Sequence, residues 1–187
     1  TKDWEEEAAR RGLPNYRTLP DALEHICDEK NVALFEKHHI FTEKELVSRR
    51  EIILENYATV IGIEADTMIE MIRKEILPAS VKYVTTLANS AKAKRRVSEN
   101  ISIAFEEKLQ TRLSELNDAL YEACEKLVET SRKLHSIEGY DVASAFCRDT
   151  VIPDMKKARE YADEIESLTD RSVWPYPTYG DILFAVR

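Results

Sequence analysis

Apolar residues recur along the chain at spacings of three and four, the period of a helix, and the longest such stretch runs from Phe41 to Leu77. It opens with Thr42 followed by Glu45, the spacing of a capping box, and Phe41 with Leu46 is placed to form the hydrophobic staple around it. No proline interrupts the stretch before Pro78, so it predicts one helix of roughly 50 Å at about 1.5 Å per residue. Ile52, Ile53, Leu54, Tyr57, Val60, Ile61, Ile63, Met68, Ile69, Met71, Ile72 and Ile76 spread around its circumference. A helix apolar on several faces is ordinarily enclosed by partners, which makes this one the expected central rod.

The remaining chain has the same period with different punctuation. Before the rod, Thr18 caps a short helix with Pro20 in its first turn and Ala22, Leu23 and Ile26 inward, and Asn31 caps another anchored by Val32, Leu34 and Phe35. At Pro78 the rod is expected to kink or break tightly and resume, with Val81, Val84, Leu87, Ala88 and Ala91 as its apolar side. A third helix is expected from about Ser98 to His135. It carries Leu109, Leu113, Leu116, Leu120, Ala123, Leu127 and Leu134 at alternating four and three spacings, Thr130 filling one weak place, which is a coiled-coil-like seam. Outside the seam, Glu122 with Lys126 and Glu129 with Lys133 sit four apart in the favourable order.

Glu138 and Gly139 make a turn into a fourth helix from near Asp141 to about Leu168, bent at Pro153, with Val142, Ala145, Phe146, Ile152, Met155, Ala162, Ile165 and Leu168 inward. The closing SVWPYPTYGDILFAVR reads as an extended aromatic segment laid over the helices, then a short terminal helical turn. Short connections between long amphipathic helices favour antiparallel neighbours. The expected fold is therefore all-α, an antiparallel up-and-down helical bundle of long helices with an irregular aromatic C-terminal segment. Residues 1–17, broken by Gly12 and Pro14, read as a connector, and 18–187 as the bundle domain. No repeat of solenoid period is evident.

Composition narrows the function classes. A net charge of -8 argues against general affinity for nucleic acid or anionic membrane, since basic surface drives both. Glu55, Glu64, Asp66 and Glu70 break the apolar run of the rod, against membrane insertion. Cys27, Cys124 and Cys147 form no CxxC pair and no signal-peptide pattern precedes them, so free thiols in a reducing, cytoplasmic setting are expected. The chain begins without Met, at TKDWEEE, as though in the middle of a longer protein.

Candidate chemistry is sparse. His38 and His39 are adjacent and point about 100° apart on a helix, and His25 and Cys27 are two apart, both poor spacings for one metal. Glu64 lies among Ile61, Ile63, Ala65 and Met68; a buried glutamate there would be either a perturbed acid or, more in keeping with a packed helix, the partner of a basic side chain. Its neighbour Gly62 would let another helix approach closely. Neither a phosphate-binding glycine loop nor a nucleophile elbow is present. The run Lys92, Lys94, Arg95, Arg96 offers contacts to an acidic partner or RNA, yet it closes a predicted helix, where cations oppose the negative dipole end, and a solvated helix end is the favoured reading. The residues themselves nominate no catalytic, cofactor-binding or metal-binding position.

Five segments carry a resemblance: DWEEEAARRGLPN, VALFEKHHIFTEKELVSRREIILENY, IEADTMIEMIRKEILPA, VIPDMKKAREYADEIE and VWPYPTYGDILF. In this order they resemble the C-terminal helical region of type III glutamine synthetases, the large-subunit class found mainly in bacteria; residues 89–140 match less well. The resemblance implies a parent enzyme that uses ATP to activate glutamate as glutamyl phosphate, which ammonia converts to glutamine, with Mg or Mn ions holding phosphates and carboxylates. It implies that those ligands lie upstream, so that ATP and Mg or Mn belong to the parent enzyme and none to this piece. The implied partners are the upstream catalytic domain and other subunits of a double-ring oligomer, with no nucleic acid and no membrane. The expected role is structural or in subunit assembly, which exposed seam positions such as Leu113 or Leu120 would support. The competing reading is an independent helical interaction module, an adaptor or scaffold.

Overall fold

The computed structural model describes residues 2–177 and 179–184; the part of the closing aromatic segment at Thr178 and residues 185–187 lies outside them. Among the described residues every regular element is helical: α1 (Lys2–Arg10), α2 (Leu19–Glu24), α3 (Glu29–Lys37), α4 (Glu43–Met71), α5 (Leu77–Val97), α6 (Ala104–His135), α7 (Tyr140–Phe146), α8 (Ile152–Leu168) and α9 (Tyr179–Leu183). Two π-helical turns, Ile72–Ile76 and Cys147–Val151, join α4 to α5 and α7 to α8 without leaving helical conformation. No helix of the described residues is long and apolar enough to cross a membrane.

Both π turns are followed, two residues later, by a proline, Pro78 and Pro153. Proline has no N–H and its ring abuts the carbonyl four residues back, so it breaks a regular α-helix. Opening one turn by a residue relieves that clash: the Leu77 N–H reaches the Ile72 carbonyl, five residues back. The chain therefore stays helical through Pro78.

The chain divides into two compact units. The first comprises Thr1–Gly62 and Leu134–Thr150. Thr18 caps α2, its Oγ1 accepting the Asp21 N–H at 3.4 Å, and Pro20 and Leu23 are buried. The capping box of α4 forms in full: the Thr42 N–H donates to Glu45 Oε2 at 2.8 Å, and the Glu45 N–H to Thr42 Oγ1 at 3.4 Å. Leu46 and Leu54 of α4, Ala143 of α7 and Cys147 are buried. Arg50 fastens three parts of this unit, donating from Nε to the Leu23 carbonyl at 3.0 Å and from its terminal nitrogens to Asp141. Arg148 bridges Asp21 and Asp149.

The second unit comprises Ile63–Lys133 and Val151–Arg187. It holds the main hydrophobic cluster, built from Ile72, Ile76, Leu87, Leu113, Leu116, Leu120, Cys124, Ala158 and Ile165. Trp174 and Tyr176 pack against this cluster, their rings edge to face with centroids 6.3 Å apart.

Several expectations from spacing alone are corrected. α4 is not enclosed on all sides: Ile52 is 60% exposed and Val60 41%, while burial follows the narrow stripe Leu46, Leu54, Ala65, Ile72. α6 starts at Ala104 rather than Ser98, because Ser98 and Ser102 accept the N–H groups of Asn100 and Ala104 and hold residues 98–103 in turns. Asn31 is not a cap; it lies inside α3 and donates to the His25 carbonyl at 2.7 Å. Ala22, Leu34, Val81, Ala88, Val142 and Ile152 face outward. From α7 to α8 the buried positions are Ala143, Ser144, Cys147, Val151, Asp154, Ala158 and Ile165, one helical face that passes over Ile152 and Met155. Leu113 and Leu120 are 0% exposed, so the seam is covered within its own unit and offers no outer contact.

Candidate functional site

Glu64, the suspected buried acid, is exposed on α4, and the reading of it as a buried partner fails with it. The helical phase turns Ala65 inward instead, at 0% exposure. Gly62 does serve close approach: a Cβ there would stand 3.4 Å from Leu134 Cδ2 and 3.8 Å from His135 Cε1. His25 stacks on Tyr16 with ring centroids 4.5 Å apart, and its Nδ1 lies 3.2 Å from Asp28 Oδ2. His38 caps α3, and His39 takes the left-handed conformation at φ 53° that turns the chain toward α4. In the basic run, Lys94 pairs with Glu106 and Arg95 donates to the Glu99 carbonyl at 2.7 Å, which closes the end of α5.

The buried carboxylates that do exist lie elsewhere. Asp154 of α8, 7% exposed, accepts from Lys126 Nζ at 2.6 Å and from Thr130 Oγ1 at 2.8 Å. Lys126 is thus spent on Asp154 rather than on the Glu122 expected one turn away. Thr130, read as the weak place in the seam, is the residue that receives this carboxylate. Glu106, 3% exposed, meets Lys94 and Ser90 Oγ, and the Lys94 ammonium holds its carboxyl below the usual range. Asp66 accepts from Ser131 Oγ at 2.6 Å. A signal for these pairs was present as polar residues at core phase, at Glu106, Thr130, Ser131 and Asp154, but period counting treats such positions as gaps.

Two of the three thiols are withdrawn from solvent. Cys124 and Cys147 are buried and free, Cys27 partly exposed and free. Burial pushes the Cys147 thiol up to about 11, with its Sγ 4.0 Å from the Ala58 carbonyl. Among the described residues no group of three or more His, Cys, Asp or Glu side chains is arranged to hold a metal ion. An open pocket of about 450 Å³ at the α3–α4 turn is lined by Glu36, His39, Ile40, Phe41, Thr42 and Glu45. Its carboxylates are already engaged, Glu36 with the Glu43 N–H and Glu45 in the capping box.

What remains on the surface of the first unit is an apolar strip on α4. At about 100° per residue, Ile52, Asn56, Val60 and Ile53 fall within one third of the helix circumference, opposite Leu54. Ile52 is 60%, Ile53 37% and Val60 41% exposed. The side chains between them on this strip, Arg49, Asn56 and Thr59, bring no carboxylate. Such a strip is suited to contact with another protein surface and has no group for chemistry.

Comparison with known proteins identifies the family of the chain. The family described as glutamine synthetase C-terminal domain matches residues 1–95. The chain is 37% identical to the glutamine synthetase of Butyrivibrio fibrisolvens over 187 residues, all of this chain and 27% of that protein. It is 32% identical to the type-3 glutamine synthetase of Dictyostelium discoideum over 186 residues, 97% of this chain and 25% of that protein. With the glutamine synthetase of Bacteroides fragilis the identity is 29%, over 98% of this chain and 26% of that protein. The chain thus spans about a quarter of the length of the curated relatives it matches. On this match it belongs to the glutamine synthetase C-terminal domain family.

Proposed function

We propose that the chain is the non-catalytic C-terminal helical domain of a type III glutamine synthetase, whose full subunit makes glutamine from glutamate, ammonia and ATP. The observation that carries this reading is the end-to-end alignment with a type-3 glutamine synthetase of which it covers only 25%. In this reading ATP and the Mg or Mn ions bind in the rest of the subunit, and the domain supports the fold or the assembly of subunits into the ring oligomer. The long helices run as antiparallel neighbours, because residues 98–103 leave room only for a tight reversal between α5 and α6. Free buried thiols suit a reducing cytoplasm.

The test compares the full-length polypeptide with a version ending at residue 17. Full-length protein is expected to form glutamine and to sediment as an oligomer, and the shortened one to lose assembly or thermal stability while still binding ATP. Glutamine formation by residues 1–187 alone would overturn the non-catalytic reading. A full-length polypeptide with no ligase domain would favour the independent interaction module.

A further inference from the structure

We infer that the α4 strip of Ile52, Ile53 and Val60 is the surface on which the polypeptide preceding residue 1 of the same subunit docks. This rests on the reading of the chain as a C-terminal domain. Three observations point to the occupant. The hydrophobic cluster draws every member from the second unit, and the first unit, with Leu23, Leu46, Leu54 and Leu134 as its large buried side chains, exposes Ile52 at 60%, Val60 at 41% and, near the chain's start, Trp4 at 61% and Leu13 at 52%, although the second unit has exposed apolar side chains of its own, such as Phe105. An apolar surface of that kind beside a sparse core is completed by another body of protein. The relatives place about three quarters of their length outside the matched region, and a C-terminal domain is joined to that body through α1, which lies in the same unit as the strip. Finally, between residues 49 and 60 the exposed Glu51 and Glu55 fall on other faces of α4, and the strip itself carries one charge, Arg49, whose guanidinium lies 4.3 Å from the Phe41 ring centroid. Two copies of a chain of net charge -8 would oppose their acidic surfaces around such a strip, whereas a different surface need not.

The experiment uses the full-length subunit with Val60→Cys, and with Tyr121→Cys as a control on an exposed position of the second unit. Native protein is treated with N-ethylmaleimide and labelling is read site by site by mass spectrometry. Position 60 is expected to label at least tenfold more slowly than position 121. p-Benzoylphenylalanine placed at position 60 during synthesis and irradiated in the native protein is expected to crosslink to peptides upstream of residue 1. Mixing isotope-labelled and unlabelled subunits shows whether both ends of the link come from one polypeptide. Equal labelling at the two positions, crosslinks to residues 1–187 of a second copy, or crosslinks between different subunits would each overturn the inference. Failure of the functional reading is separately visible as a full-length polypeptide without a ligase domain.

Discussion

Asp154 and Ser80 are both buried polar side chains of the second unit, and they differ in how they are satisfied. Asp154 holds two donors, Lys126 and Thr130, whereas the Ser80 hydroxyl, at 0% exposure, finds no partner among the described residues. Removing a satisfied acceptor strands its donors, while removing an unsatisfied hydroxyl relieves a desolvation penalty. Asp154→Ala is therefore expected to lower stability by about 1–3 kcal/mol, and Ser80→Ala to be neutral or to raise it by up to about 1 kcal/mol. Urea unfolding followed by circular dichroism measures both, and equal losses would contradict the assignment. Cys147 gives a pH effect of defined sign. Its thiol titrates near 9 when unfolded but is raised to about 11 by burial in the fold, so the folded state keeps the proton longer. That stability is fully present below pH 9 and is lost as pH rises from 9 to 11, on the order of 2 kcal/mol in total. In Cys147→Ala this alkaline loss is expected to shrink, as read from melting temperatures across pH 8 to about 11.

Two elements of the chain carry the same device, a π turn set one residue ahead of a residue–proline pair, as IRKEI before Leu77–Pro78 and CRDTV before Ile152–Pro153. Each of these turns holds one residue more than an α turn. Through the second, the buried positions Cys147, Val151, Asp154 and Ala158 follow one another at four, three and four, while the apolar pattern points to Ile152 and Met155. Deleting exposed Lys74 would close the first π turn to an α turn. The ring of Pro78 would then meet a carbonyl, and Leu87 would rotate by about 100° out of the cluster. The deletion is expected to cost more than about 3 kcal/mol, the scale of a lost core leucine, while Lys74→Ala changes stability by no more than about 0.5 kcal/mol. Similar thermal melts for the two variants would show that the turn does not set the register.

At the scale of the molecule, apolar burial is divided unequally. Leu113, Leu116, Leu120, Cys124, Ala158 and Ile165 lie in one cluster of the second unit, and the first unit has fewer large buried side chains, Leu23, Leu46, Leu54 and Leu134, with polar ties through Arg50 and Arg148. Regions with few buried apolar contacts open at lower free energy. Amide hydrogen exchange is expected to be slowest in the middle of α6, around Leu120, and faster in α2 and α3. Leu120→Ala should cost about 2–5 kcal/mol and accelerate exchange first in the second unit. Uniform protection across both units would contradict this division.

Sequence alone determined the helical class, the capping box at Thr42 and Glu45, the leucine seam of α6, and most helix ends. Each of these is local: a cap is settled by hydrogen bonds within one turn, and the period by side chains three and four apart. The resemblance to a glutamine synthetase domain was legible for the same reason, being carried by short segments in order. Only the tertiary structure decided which apolar residues are buried. On α4 the sequence offered isoleucines on every side, and the face that is buried is the one approached by distant residues, Leu134 at Gly62 and Cys147 at the Ala58 carbonyl. The partners of Asp154 and the two π turns were hidden likewise, because an ion pair between distant helices and a single inserted residue leave no periodic trace.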